Sequence, residues 1–370
     1  MKNKNYLVAS SILIGSCIGA GVLGIPFVAS KAGFAVAVFY VLFLGGIILL
    51  SNLYLGEVAL RTKKVHQLAG YAKKYLGNKA EKLMRFALIF GVYSSIVAYL
   101  IGVGESLSFL IFGNLNYDLP LGILFGIFVG ALLWKGMTSL KKYEKWGVAI
   151  ILFLLVSIFS FFVGKVEVSN LNFINLENFF VPFGVVLFAL LSFVATPEAV
   201  YVLRNERKTL KKTIFTASLV SVVFYLLFAF IVTGYLGAST PEVATLALGP
   251  IFIILGMFTM FTSYLPLGNA LLENFEFDDR MKKKKAWFFS SIVPLLIYIL
   301  INFFGVFSFT KVLSIGGVVS GGMTAVLILL MARSAKSNGE IKPEYSLPIN
   351  GFLITILSLI FVLGVVSELL

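Results

Sequence analysis

Two stretches of this chain carry the groups best suited to bind a small polar molecule. The first is Gly15-Ser16-Cys17-Ile18-Gly19-Ala20-Gly21-Val22-Leu23-Gly24-Ile25-Pro26-Phe27, with four glycines and a proline in thirteen residues. The second, Phe183 to Glu198, has Gly184, Ala189, Ser192, Ala195 and Thr196 and then Pro197. Both lie inside long apolar runs, and neither composition suits a plain lipid-facing helix. In hydrocarbon every backbone N–H and C=O needs a partner, so a broken helix persists only where it lines a cavity or is buried in protein. A half-helix N-terminus offers free N–H groups and a positive dipole end, which suits a carboxylate. Unwound carbonyls and half-helix C-termini suit an ammonium group or a small cation. The plainer account of each stretch is a small-residue face for close helix packing. Two such segments in matching halves of one chain favour the binding-site reading, because paired interrupted spans mark inverted-repeat transporters.

Side chains with chemistry are few. Thr259, Thr262 and Ser263 stand at i, i+3 and i+4 and share one helical face. Their hydroxyls suit a hard cation, although Ser and Thr in membrane helices commonly bond their own i−4 carbonyl. Glu105 and Glu198 are the carboxylates expected within the membrane, where an ionisable group is a functional candidate by default. Either could carry a proton; hydration near a membrane face is the plain alternative. Glu57 precedes Arg61 by four residues, so an i, i+4 ion pair explains it. The single histidine, His66, sits in a basic connection and reads as solvated, and the single cysteine, Cys17, excludes an internal disulfide. No His/Cys/carboxylate set with metal-ligand spacing, no catalytic cluster and no Gly-x-x-x-x-Gly-Lys-[Ser/Thr] phosphate loop occurs. An enzyme, a primary pump and a channel with a ring of acidic residues are therefore disfavoured, and no catalytic residue is assigned.

The elements that must position these groups follow from composition. Of 370 residues, 59% are hydrophobic and 13% charged, with a mean hydropathy of +0.99. A soluble chain carries roughly 25% charged residues, so lipid must be the solvent. A span needs about 20 apolar residues, and eleven runs qualify: Tyr6–Phe27, Phe34–Leu60, Met84–Phe112, Leu119–Trp134, Trp146–Gly164, Phe179–Leu203, Thr213–Leu236, Gly249–Leu272, Ala286–Phe304, Val312–Met331 and Leu347–Ser367. The fourth is short and the sixth is interrupted. A signal peptide or lipoprotein signal at the first run is rejected, because the run continues well past Cys17 and ten more follow.

The net charge of +13 is topological rather than a sign of nucleic-acid binding. Of the 30 Lys and Arg, 27 fall at the N-terminus or in the alternate connections that follow the second, fourth, sixth, eighth and tenth runs; Lys31, Lys165 and Lys311 are the exceptions. The positive-inside rule then predicts a cytoplasmic N-terminus and an outside C-terminus. One missed or invented span would scramble that alternation. Leu68 to Gly77 reads as a short amphipathic helix on the inner leaflet.

The motif at 15–26 resembles the first-helix signature of amino-acid permeases in the amino acid/polyamine/organocation superfamily, most of all its amino acid/auxin permease and aromatic amino acid permease branch. The second span ending in Glu57, the third with Tyr99 to Glu105, and the sixth with Phe188-Ala189 and Pro197 are similar to that branch. The resemblance covers the whole chain and implies an all-α membrane protein of about eleven spans with the LeuT-type 5+5 inverted repeat and broken helices 1 and 6. Repeat one would run over about 6–164 and repeat two over about 178–332, with an extra helix at about 347–367, in a single transporter domain. It further implies that amides around Ile18, Gly19, Ala20 and Gly21 hold a substrate carboxylate. Carbonyls around Phe188, Ala189 and Leu190 would hold its amino group, with the Phe188 ring as a lid. Ser192 stands where relatives have a small residue, and Tyr99 or Val103 would form a wall. In LeuT-type transporters the eighth-span face and the first-helix break form a sodium site, here Ser16 and Gly19 with Thr259, Thr262 and Ser263, the metal lying at Thr262 and Ser263. Some proton-driven relatives fill that position with a fifth-span lysine, and 146–164 has none, which favours sodium over proton.

The expected function is secondary active transport of neutral amino acids, aromatic ones among them, by alternating access and cation-coupled symport. The alternatives are proton coupling through Glu105 or Glu198, or a permease-fold sensor, which the short tails disfavour. No cofactor is expected beyond Na+ or H+ as coupling ion. The expected partners are the amino-acid substrate and the lipid bilayer of a plasma membrane. The sequence leaves oligomeric state open.

Overall fold

The computed structural model describes residues 2–135, 153, 155–278 and 280–369. Residues 146–152 and 154 of the fifth run, together with Lys141, Lys142 and Lys145, lie outside the described residues. The helices are α1 Lys2–Cys17, α2 Gly21–Ala32, α3 Phe34–Leu60, α4 Leu68–Leu76, α5 Asn78–Phe112, α6 Asp118–Lys135, α7 Leu155–Lys165, α8 Val181–Leu190, α9 Thr196–Val202, α10 Leu210–Leu236, α11 Pro250–Glu273, α12 Lys283–Phe304, α13 Phe309–Asn338 and α14 Gly351–Leu369. No strand occurs among the described residues. Among the described residues nine helical runs are long and apolar enough to cross a membrane, and the bent pair α1–α2 makes a tenth.

Neither break falls at a proline. The first break is Ile18 to Ala20, and the two halves meet at 51°; Pro26 lies inside α2. The second break follows Leu190, and Pro197 stands in the first turn of α9, where its missing N–H is not needed. Gly33 links α2 to α3 at φ 103°, a left-handed conformation that favours glycine. A side chain there would also collide with the Phe173 carbonyl.

Contacts among the loops tie several connections together on each face. On one face Asn5 Nδ2 donates to Glu206 (3.2 Å), Lys74 Nζ pairs with Glu340 (2.7 Å) and Arg207 pairs with Glu344 (3.5 Å). On the other, the Asn175 N–H donates to the Ala32 carbonyl (2.9 Å), Glu167 N–H to Gly234 (2.9 Å) and Lys311 to Glu368 (2.7 Å). The N-terminus and the basic connections after the second, sixth and tenth runs thus gather on one side.

The segment between α13 and α14, residues 339–350, straps the basic face. Glu340 and Ile341 donate their amides to the Arg61 carbonyl (2.9 and 3.2 Å). Tyr345 Oη donates to Leu53 O (2.7 Å) and Tyr54 Oη to Pro348 O (2.6 Å). The strap centres on Glu57, which is 1% exposed. Its carboxylate does pair with Arg61 (2.9 Å), and it also takes Lys336 Nζ (2.6 Å), Ser346 Oγ (3.1 Å) and the Leu347 N–H (2.8 Å). A buried carboxylate needs such a set, since burying charge unpaired is prohibitive. The exposed Glu340 carboxyl is held below the usual carboxylate range by Lys74 and by the Lys63 amide.

Two expectations on this face need correction. The apolar side of α4 (Leu68, Tyr71, Ala72 and Tyr75) is buried against protein, not laid on lipid. His66 is half-buried and edge-on to Tyr71, ring centres 5.5 Å apart; desolvation and then Lys74 lower its pKa, because both disfavour the imidazolium.

Lys336→Ala is expected to destabilise the protein by about 1–3 kcal/mol, the cost of one lost charged hydrogen-bond set with Arg61 still in place. Thermal unfolding in detergent checks this.

Candidate functional site

The site is built from the two breaks and the helices that pin them. In the first break the Ile18 amide still donates to Ile14 O (3.0 Å) and the Gly19 amide turns back to Cys17 O (3.0 Å). Leu23 N–H bonds Ala20 O (3.0 Å), which leaves the N–H groups of Ala20, Gly21 and Val22 without a backbone acceptor at the start of α2. Orphan donors at a helix start need a side chain, a water or a ligand. The Tyr99 hydroxyl from α5 interacts with the Ala20 amide and with the Ser263 side chain of α11. A Cβ added to Gly19 would lie 3.0 Å from Tyr99 Oη and 3.8 Å from Ser263 Oγ. Gly19, Ala20, Tyr99 and Ser263 therefore meet at one point. Val103 is buried one turn further along α5.

In the second break Leu191 N–H caps Phe188 O (3.2 Å). Ala189 O accepts from the Tyr225 hydroxyl of α10 at 2.6 Å, and the same hydroxyl reaches Cys17 O at 2.8 Å. One phenol proton is thus shared between the carbonyl ends of α1 and α8, both negative dipole ends. Cys17 Sγ donates weakly to Leu190 O at 3.6 Å. All three carbonyls assigned to an ammonium group therefore already accept one bond, and each keeps a second lone pair. Ser192, 5% exposed, accepts from Asn52 Nδ2 (2.9 Å), and Asn52 Oδ1 accepts from Thr196 (2.9 Å). Asn52 of α3 so spans the second break from one side to the other.

The two breaks also touch. Gly21 is a close-approach glycine: a Cβ there would stand 2.7 Å from Ala189 Cα and 2.8 Å from Ala189 Cβ. Phe188 is half-buried, with its ring beside Gly316. A cavity of about 50 Å³ lies between Ser16, Leu191, Phe193 and Ser320, room for little more than a water at roughly 30 Å³ apiece.

The coupling candidates separate. Thr259 Oγ1 donates to Leu255 O (2.9 Å), and Thr262 Oγ1 lies 3.0 Å from both Phe258 O and Thr259 O. These two hydroxyls satisfy their own helix, so Ser263 is the member of the face turned to the first break. Ser16 is exposed and borders the cavity. Glu198 is exposed in the first turn of α9 rather than buried, a place where a carboxylate complements the helix dipole. Glu105 is half-buried on α5, and the charges acting on it, Glu242 and Asp118, are both acidic. Among the described residues no group of three His, Cys, Asp or Glu is arranged for a metal ion.

The sequence reading missed Tyr225 and Asn52. Nothing local marks Tyr225 in an aromatic-rich span. Asn52 had a signal, as a lone amide in the middle of an apolar run.

Residues 2–262 match the tryptophan/tyrosine permease family. The chain is 26% identical over 244 residues to a low affinity tryptophan permease of Proteus vulgaris, covering 61% of this chain and 57% of that protein. It is 24% identical over 168 residues to tyrosine-specific transport system 1 of Haemophilus influenzae, covering 45% and 42%. The matched stretches thus span about half the length of these curated relatives. The crystal structure of MhsT in complex with L-phenylalanine superposes with a TM-score of 0.69 at 14% identity, over 99% of this chain and 97% of that one. The fold is accordingly of the LeuT type.

Tyr225→Phe is expected to strand the Ala189 carbonyl and cost about 1–3 kcal/mol of stability, read as a lower Tm. Gly21→Ala should lower Tm as well, because its methyl group meets backbone rather than a movable side chain.

Proposed function

The chain belongs to the tryptophan/tyrosine permease family, and from that premise we propose that it carries aromatic amino acids across a plasma membrane by alternating access, in symport with a cation. One observation carries the reading: free N–H groups at the start of α2 stand beside the converging carbonyl ends of α1 and α8. A zwitterion needs both kinds of group in one place. The amides of Ala20, Gly21 and Val22 would take the carboxylate, with the Tyr99 hydroxyl beside them. Ile18 and Gly19 contribute shape rather than donors, because their amides are already bonded. The second lone pairs of Ala189 O and Leu190 O would take the ammonium group, with the Phe188 ring over the side chain. Gly21 lies so close to Ala189 that even a methyl group would meet its backbone, so entry of an aromatic amino acid between the breaks requires the lining helices to move. Movement of one bundle against another around a midplane site is what alternating access supplies.

Sodium is the favoured coupling ion, held by Ser263 with carbonyl oxygens of the first break. The family is one of permeases, and no catalytic chemistry is assigned. The N-terminus and the basic face would lie in the cytoplasm. A second reading, proton coupling, draws on Glu105, a half-buried carboxyl within the span Asn78–Phe112, where an ionisable group is a functional candidate by default.

Uptake of labelled tryptophan, tyrosine and phenylalanine into proteoliposomes, under separate sodium and proton gradients, tests both readings. Sodium-driven uptake that falls at least about tenfold in Ser263→Ala, the loss of roughly 1.4 kcal/mol of ion binding, supports the first. Uptake driven by protons and lost in Glu105→Gln moves coupling to α5. Absence of uptake under either gradient, with correctly folded protein, would refute the substrate assignment.

A further inference from the structure

Away from the breaks, a groove opens at the basic end of α10, between that helix and α3. It is lined by Lys208, Lys211, Lys212, Phe215 and Leu53. Lys208, Lys211, Lys212 and Phe215 follow an i, i+3, i+4, i+7 pattern, so one helical face presents them together. All four are exposed, and the floor is supplied by Leu53, which is 9% exposed.

Topogenic charge alone asks only that lysines lie on the correct side of the membrane. It does not ask that three of them converge on an apolar floor. Among the described residues none of the three is in an ion pair. Of the nearby carboxylates, Glu344 pairs with Arg207 (3.5 Å), and Glu206 takes the Asn5 amide on one oxygen (3.2 Å) while its other oxygen is buried without a hydrogen bond. Lys212 has one partner, the Tyr6 ring, at 5.4 Å. The groove stands at the end of the span Arg207–Ser239, the level at which lipid headgroups meet acyl chains. Basic pockets between helices at that level hold anionic headgroups.

We propose that this groove binds one anionic phospholipid, its phosphate among the ammonium groups of Lys208, Lys211 and Lys212 and its acyl chain over Phe215 and Leu53. The site borders the seat of α1. The Tyr6 hydroxyl donates to Thr216 Oγ1 of α10 at 2.9 Å, and Lys212 covers the same ring. A bound lipid therefore braces the first half of a broken span against α10, without contributing to the amino-acid site.

The test compares thermal unfolding of the purified full chain in nanodiscs of phosphatidylcholine alone and of phosphatidylcholine with phosphatidylglycerol. Three proteins are measured: the wild type, K208Q/K211Q/K212Q, and K282Q/K284Q/K285Q, which removes equal charge from the same face outside the groove. The anionic lipid is expected to raise the wild-type Tm by about 4 °C, as for a ligand well above its Kd. The second triple should keep that shift and the first should lose it, while both match the wild type in phosphatidylcholine to within their own baseline change. The readout is the difference between the two lipids, so a general loss of stability in either triple does not mask it. Retention of the shift by the groove triple, equal loss in both triples, or no shift in the wild type would overturn the proposal. A shift reproduced by inorganic phosphate in phosphatidylcholine nanodiscs would assign the groove to a soluble anion and overturn the lipid assignment. None of these outcomes depends on which amino acid is carried.

Discussion

The constraint on which everything else depends is the backbone of two broken helices inside a layer that offers no water. A helix interrupted in hydrocarbon leaves donors and acceptors that must be met by protein or by a ligand. Here protein meets most of them. The Tyr225 hydroxyl lies between the Cys17 and Ala189 carbonyls, and Asn52 joins Ser192 to Thr196. Both come from full-length spans, α10 and α3, that are continuous where α1–α2 and α8–α9 are not. The unbroken helices thus act as splints for the broken ones. What the splints leave unmet is the set of amides at the start of α2, and that is where a carboxylate fits.

The same logic sets the shape of the site. Gly21 brings α2 against the backbone of Ala189, so a positive helix start lies beside the negative ends of α1 and α8. An arrangement with both polarities within reach of one small molecule is selective for a zwitterion and poor for a plain anion or cation. Tyr99 and Ser263 close the same point from α5 and α11. Four separate parts of the chain therefore share one site, and relative movement among them alters it directly.

At the basic face the structure spends its ion pairs on holding loops rather than on chemistry. Glu57 accepts from Arg61, Lys336, Ser346 and the Leu347 amide. Glu340 and Glu344 tie the strap to Lys74 and Arg207. A buried carboxylate that keeps several donors favours a unique arrangement of its partners over raw stability. This strap joins α3, α4 and the α9–α10 connection at one end of the molecule, and under the proposed alternating access it would define the anchor points of helices that rock against each other.

Much of the architecture is written in local sequence. The length and spacing of apolar runs, the alternation of Lys and Arg, and the glycine-rich and small-residue stretches are one-dimensional signals, each caused by the membrane acting residue by residue. They located both interrupted spans and grouped the N-terminus with the connections after the second, sixth and tenth runs. The Glu57–Arg61 pair was likewise visible, because i, i+4 geometry is local. What required the tertiary structure was every contact between spans. Which backbone groups at each break found partners, and which stayed open, depended on side chains from other spans. Thr259 and Thr262 share a face with Ser263 in any helix, but only the packing of α11 on the first break leaves Ser263 as the one turned toward it. The apolar side of α4 fits lipid and protein equally well by composition; the presence of α5 and α13 beside it decided for protein. Tyr225 lies some two hundred residues from Cys17 and 36 from Ala189, and no periodicity in the chain encodes that meeting. Membrane insertion is dictated by composition along the chain, whereas the site depends on hydrogen bonds between distant spans, and those exist only once the helices have packed.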